Sequence, residues 1–164
     1  MNPIKITGFI LAVFTGWVAK AQCDVQMTVN ANGTLSKTTS TELIYSNETY
    51  SMYSQMRYDG IDHYFIWVVK PMEKKKVESK SMEIRLDNDS IVMLEFYDSY
   101  KTIKDTSVSF LYRVSEPNMK LLSNNNINQI NINTNMGLKQ FILKLHKDQI
   151  REQLKCLAEY KGKE

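Results

Sequence analysis

The residues most often found as metal ligands and nucleophiles are scarce in this chain: 164 positions hold two histidines and two cysteines. His63 and His146 are far apart in sequence, and neither has a metal-like or triad-like neighbourhood. HExxH, paired CxxC, GxSxG and P-loop patterns are missing, which removes the linear signatures of zinc hydrolases, thiol redox centres, serine hydrolases and nucleotide-phosphate cradles. Asp87, Asn88 and Asp89 open like a calcium loop, but the sixth and twelfth places hold Val92 and Asp98 instead of glycine and glutamate. Pairs such as Asp59 with Asp62, or Glu95 with Asp98, arise readily in a chain with 18 acids, and spacing without geometry does not define an acid–base pair. No catalytic residue, cofactor-binding residue, cofactor or metal ligand is assigned, and the chain reads as non-enzymatic.

Long hydrophobic runs are also lacking. The one mostly apolar stretch, Ile6 to Val18, is interrupted by Thr7, Gly8, Thr15 and Gly16 and falls short of the ~20 residues that span a bilayer as a helix. Lys5 precedes it and Ala19-Lys20-Ala21 follows it, the layout of a signal peptide with an A-x-A cleavage site. Residues 1–21 are therefore expected to be a leader cleaved after Ala21, leaving no transmembrane anchor. The ending Ala-Lys-Ala-Gln resembles leaders of small secreted proteins of Gram-negative bacteria, so the expected destination is periplasmic or secreted. Removing 21 of 164 residues leaves 143, a normal size for the single domain expected over 22–164.

A charge excess of one sign is missing too. The leader carries two lysines and no acid, so its removal lowers the formal net charge from +3 to +1. A nucleic acid or an anionic membrane needs a strong basic surplus, and neither is an expected partner.

Exported cysteines meet an oxidising compartment, where an even number usually pairs. Cys23 and Cys156 would then form a structural disulfide between the mature N-terminus and the last helix. Along that helix, 148–160, Ile150, Leu154, Leu157 and Ala158 form one stripe, and Cys156 falls to its side near Tyr160, away from where packing alone would place it. The alternatives are two free thiols or acylation of Cys23; Lys20-Ala21-Gln22 does not resemble a lipobox.

What the chain does have is a β pattern. Val25, Met27 and Val29 alternate ahead of the turn pair Asn32-Gly33, and residues 34–41 are polar enough to be an edge strand or a loop. Residues 49–58 and 61–70 flank Asp59-Gly60 and predict a hairpin with a two-residue turn. The expected register sets Tyr58 against Ile61, Met56 against His63, Ser54 against Phe65 and Met52 against Trp67, with Arg57 opposite Asp62 on the other face. Residues 61–70 are apolar on both faces, as in a covered central strand, and the lysine run within 71–76 reads as a solvated loop. A second hairpin is expected from 77–86 and 91–97, then strands at 107–114 and 127–133 separated by a short helical turn with Met119, Leu121 and Leu122. Residues 138–145 fit either period, and the turn-like Thr134-Asn135-Met136-Gly137 favours a strand. The fold class is thus α+β: a mainly antiparallel sheet with one amphipathic C-terminal helix, a two-sheet sandwich being the alternative packing.

Tyrosines crowd the β region, and Tyr53, Tyr64, Tyr97 and Tyr100 are the candidate binding aromatics, offering flat amphipathic contacts. Favourable β propensity alone also places tyrosine in strands. The expected function is an exported, non-enzymatic module that binds a protein or a cell-surface glycan through a face or edge of its sheet. The alternatives are a small secreted hydrolase or hydrolase inhibitor, and a lipid-anchored envelope component.

Overall fold

A computed structural model describes residues 24–29, 33–71, 78–101, 107–135 and 137–160. The expected leader, Cys23, Asn32 and the lysine run lie outside the described residues. Among the described residues ten strands and two helices form: β1 (Val25–Val29), β2 (Leu35–Thr39), β3 (Glu42–Ser46), β4 (Tyr50–Tyr58), β5 (His63–Pro71), β6 (Ser79–Leu86), β7 (Ile91–Lys101), β8 (Val108–Val114), α1 (Glu116–Asn124), β9 (Ile127–Thr134), β10 (Gly137–Ile142) and α2 (Gln149–Glu159). Every strand joins one antiparallel sheet, in the order β1-β2-β4-β5-β8-β7-β6-β9-β10, with β3 also on β4. The alternative of two separate sheets gives way to this continuous ladder. The expected helical turn near Met119 is a full helix, α1, so the C-terminal helix has a partner.

The β4–β5 hairpin keeps its expected faces but not its expected register. Tyr58 pairs with His63, Met56 with Phe65, Ser54 with Trp67 and Met52 with Val69, a shift of two residues. The cause is local. Asp59 Oδ1 accepts the amides of Ile61 at 3.1 Å and Asp62 at 2.9 Å, and the Asp59 amide donates to the Asp62 carbonyl at 3.2 Å. These bonds close a four-residue loop, with Gly60 at φ +98°, in place of the two-residue turn. A shift of two leaves side chains on their original faces, so the core is unaffected. The charges do change partners: Asp62 lies 3.4 Å from Arg113 Nε on β8, and Arg57 stands opposite Tyr64.

The β6–β7 hairpin turns through Asp87–Ser90, with Asp89 at φ +63° and the Leu86 amide donating to the Ser90 carbonyl at 2.9 Å. Residues 137–142 are a strand, paired with β9 from Gly137↔Thr134 to Ile142↔Gln129. Residues 35–39 also form a strand, which is not an edge: β1 pairs along it on one side and β4 at Lys37 and Thr38 on the other. Beyond that short contact the chain steps across, and β3 takes over the same flank of β4. Thr39 supports the step, its hydroxyl accepting the Met56 amide and its carbonyl accepting Gln55 Nε2, both at 2.9 Å.

The inner face carries the core, in which Met56, Phe65, Trp67, Met82, Ile84, Tyr112 and Ile130 are fully buried. Leu122 of α1 and Ile150, Leu154 and Leu157 of α2 pack into the same cluster. On β5 both faces are buried, Tyr64 and Ile66 as well as Phe65 and Trp67, as the doubly apolar sequence requires. The sheet curls strongly. Phe141 on β10 lies 6.1 Å ring to ring from Trp67 on β5 and 5.2 Å from Tyr45 on β3, although β10 and β3 stand at opposite ends of the strand path β3-β4-β5-β8-β7-β6-β9-β10. Eight strands therefore make a barrel with an open seam, a strand number whose interior side chains can fill. The void lined by Met52, Val69, Phe110 and Phe141 measures only about 20 Å³, about the space of one water, so this part of the interior is packed core.

Candidate functional site

The open seam is the candidate site. Each strand edge presents backbone N–H and C=O groups that seek partners. Among the described residues, β3 pairs only with β4 and β10 only with β9, leaving the other edge of each facing the seam. Apart from isolated positions, their Cα atoms stand more than 8 Å apart, well beyond the ~4.8 Å between paired strands. The Tyr45–Phe141 ring contact bridges the gap from beneath.

Above those rings runs a groove of about 570 Å³. Leu43, Ile44, Tyr45 and Ser46 line one side, and Gln140 and Ile142 line the other. The loop after β10 closes one end with Lys144, Leu145 and His146. That loop is fixed by main-chain bonds: the Leu143 amide donates to the Asn128 carbonyl at 2.9 Å, and the Ile127 amide to the Lys147 carbonyl at 2.8 Å. His146 turns the chain at φ +56°, and its carbonyl accepts the Gln149 amide at 3.2 Å. The groove exposes apolar surface, with Ile142 60% and Leu145 71% accessible. Its ionisable lining groups are Lys144, His146 and the Tyr45 phenol, and no carboxylate appears among its described lining residues. Such a trough can grip an extended chain by side-chain pockets and free main-chain groups.

The four candidate tyrosines lie on the opposite, outer face. Tyr64 is buried and its ring lies 5.1 Å from that of Tyr97, which is 53% exposed. Tyr97 stands two residues after Glu95, which pairs with Arg113, so alternation places it on the outer face beside Tyr64, at a bulge between Phe96 and Asp98. Tyr53 and Tyr100 share another row, through Tyr53↔Val68, Val68↔Ser109 and Ser109↔Tyr100, about 13 Å further along the strands. Tyr53 lies under Lys70 Nζ at 4.9 Å, and Tyr100 is exposed. The four therefore do not gather into one platform.

Around Tyr64 the polar groups satisfy one another. Arg113 Cζ sits 5.1 Å from the Tyr97 ring while the same side chain reaches Asp62, and the Tyr64 hydroxyl faces Arg113 and Asp59. Burial pushes the Tyr64 phenol up, the Arg113 hydrogen bond opposing it. A cluster already balanced in charge and hydrogen bonds has little left to offer a ligand. His63 stacks on Tyr58 at 4.6 Å, and burial lowers its imidazole against the pull of Asp59 and Asp62.

Sequence reasoning missed the seam because β3 and β10 meet only through the curl of the whole sheet. The one linear trace is apolar side chains at outward strand positions, Leu43, Leu138 and Ile142. Among the described residues, no helix is long and apolar enough to cross a membrane, and no three His, Cys, Asp or Glu side chains gather as metal ligands. The chain matches no protein-family model, no curated protein and no solved structure.

Proposed function

We propose that the chain is an exported, non-enzymatic module that binds a protein partner through the groove between β3 and β10. The observation that carries this reading is the pair of strand edges facing one another across an apolar-lined trough with no partner between them among the described residues. An edge left open invites another chain. The outer tyrosines, split into two rows, favour this site less.

Export and a Cys23–Cys156 disulfide belong to the same proposal. The Asp24 carbonyl accepts the Ser40 amide at 3.0 Å, and the Ser40 carbonyl accepts Gln153 Nε2 at 3.0 Å. The chain just after Cys23 is thus tied to a point one helical turn from the half-buried Cys156. Intact mass of the exported protein, reduced and non-reduced, tests both points: a chain beginning at Gln22 with one disulfide is expected, and an acylated Cys23 would overturn the bridge and make it an envelope protein.

Binding is tested by comparing tagged wild-type protein with Ile142→Lys and Tyr100→Ser variants under identical export. Partners retained by wild type should be lost with Ile142→Lys and kept with Tyr100→Ser. Turnover of a substrate by the purified mature protein, abolished by one carboxylate or histidine substitution without unfolding, would replace this reading with an enzymatic one.

A further inference from the structure

Resting on the groove reading above, we infer that its occupant is an extended, acidic polypeptide segment of five or six residues that adds to the sheet as a strand between β3 and β10. Length comes from the walls: β3 has five residues and β10 has six. Width comes from the gap. One inserted strand needs two inter-strand spacings, ~9.6 Å, and the wall Cα atoms stand more than 8 Å apart along most of the seam, too far to pair with each other directly. The Tyr45–Phe141 contact at 5.2 Å stops the walls from parting much further and leaves no room for a hairpin.

Counting round the antiparallel sheet, β3 and β10 run in opposite directions. A single inserted strand is then antiparallel to one wall and parallel to the other, so both free edges gain ladder partners. Main-chain bonds would supply affinity and alternate side chains selectivity, as in other strand additions. The side chains are set by the walls. Residues pointing outward from the barrel meet the exposed Leu43 and Ile142, and the end of the trough presents Lys144 and His146 without a carboxylate among its described lining residues. Apolar residues with Asp or Glu among them complement that lining, and a basic segment does not.

The test pans the mature protein against a display library of random, unconstrained octapeptides and then synthesises the enriched sequences. Expected enrichment is in sequences that mix apolar residues with Asp or Glu. Their affinity should fall at least tenfold with Lys144→Glu and hold within about twofold with Lys144→Arg. Methylating alternate peptide amide nitrogens should also cost at least tenfold, and binding should slow hydrogen exchange at residues 43–46 and 138–142. Enrichment of basic or proline-rich sequences overturns the inference, as does equal binding of the N-methylated peptides; in both cases loss of binding with Ile142→Asp would still uphold the groove as the site. If no enriched peptide responds to Leu43→Asp or Ile142→Asp, both the inference and the groove reading fail. Urea midpoints of these surface variants that coincide with wild type establish that the changes act on binding and not on folding.

Discussion

Gln153 on α2 and Ser54 on β4 join helix to sheet through a closed set of buried hydrogen bonds: Gln153 Oε1 accepts the Ser54 hydroxyl and Gln153 Nε2 donates to the Ser54 carbonyl, each at 3.0 Å. The same amide nitrogen also donates to the Ser40 carbonyl at 3.0 Å. Gln153 is 3% exposed and Ser54 fully buried, so one polar side chain fixes how α2 lies across β2 and β4.

Removing Gln153 alone leaves the Ser54 hydroxyl without its partner inside an apolar cluster. Gln153→Ala is expected to cost about 2–4 kcal/mol, combining lost packing with stranded polar groups. In the Gln153→Leu/Ser54→Ala double variant, the stranded hydroxyl is gone and the helix face is refilled. It should lose less than the Gln153→Leu and Ser54→Ala single variants do in sum, read as a coupling between the two sites in a urea double-mutant cycle.

His63 makes stability depend on pH in the weakly acidic range. Burial holds its folded pKa below the ordinary value of 6.5, with Asp59 and Asp62 pulling the other way. The unfolded chain therefore binds the proton more readily. The stabilisation is complete above pH ~6.5 and is lost as pH falls from there through the lower folded pKa. Urea midpoints should decline across that window in wild type and decline less in His63→Gln. Equal slopes in the two proteins would refute the assignment.

Tyr112 acts at the alkaline end. Burial raises its phenol to about 12, with the Ser79 hydroxyl as its hydrogen-bond partner working against the shift. The unfolded phenol ionises near 10, so stability is retained below pH ~10 and falls as pH rises from 10 towards 12, by about 2–3 kcal/mol in all. Tyr112→Phe should lose the hydrogen bond at neutral pH, about 1 kcal/mol, yet be less sensitive to alkali. Guanidinium unfolding at pH 8 and pH 11 separates the two effects.

How far the sequence foretold this structure depends on the range of the interaction. Alternation assigned the faces of β4 and β5 correctly because period two is a local property. It missed the register because the choice between a two- and a four-residue loop rests on one side chain, Asp59, capturing the Ile61 and Asp62 amides. Residues 137–142 resolved as a strand because they pair with β9 through a turn at Gly137, φ +90°. Candidate binding tyrosines were legible as residue types but not as a site, since the Tyr64–Tyr97 contact is made across β8 and depends on a strand order and register that no local pattern marks. The groove was least legible: its two walls are separated by about ninety residues and by the curl of eight strands.

Trp67 offers a prediction in which two effects oppose. Its indole is fully buried between Phe65, at 6.0 Å, and Phe141, at 6.1 Å, and its Nε1 has no hydrogen-bond partner among the described residues. An unpaired buried donor costs roughly 1–3 kcal/mol. Trp67→Phe removes that donor but leaves a small void, and the two changes should nearly cancel, shifting stability by less than about 1 kcal/mol. Trp67→Ala removes the ring that backs Phe141 and should cost about 3–5 kcal/mol. Because Phe141 also spans the seam to Tyr45, Trp67→Ala should speed hydrogen exchange along β10 more than along β6, whereas Trp67→Phe should leave both unchanged. Equal losses from the two substitutions would mean that the indole nitrogen is satisfied in solution, and that the donor contributes to stability where an unpaired one would not.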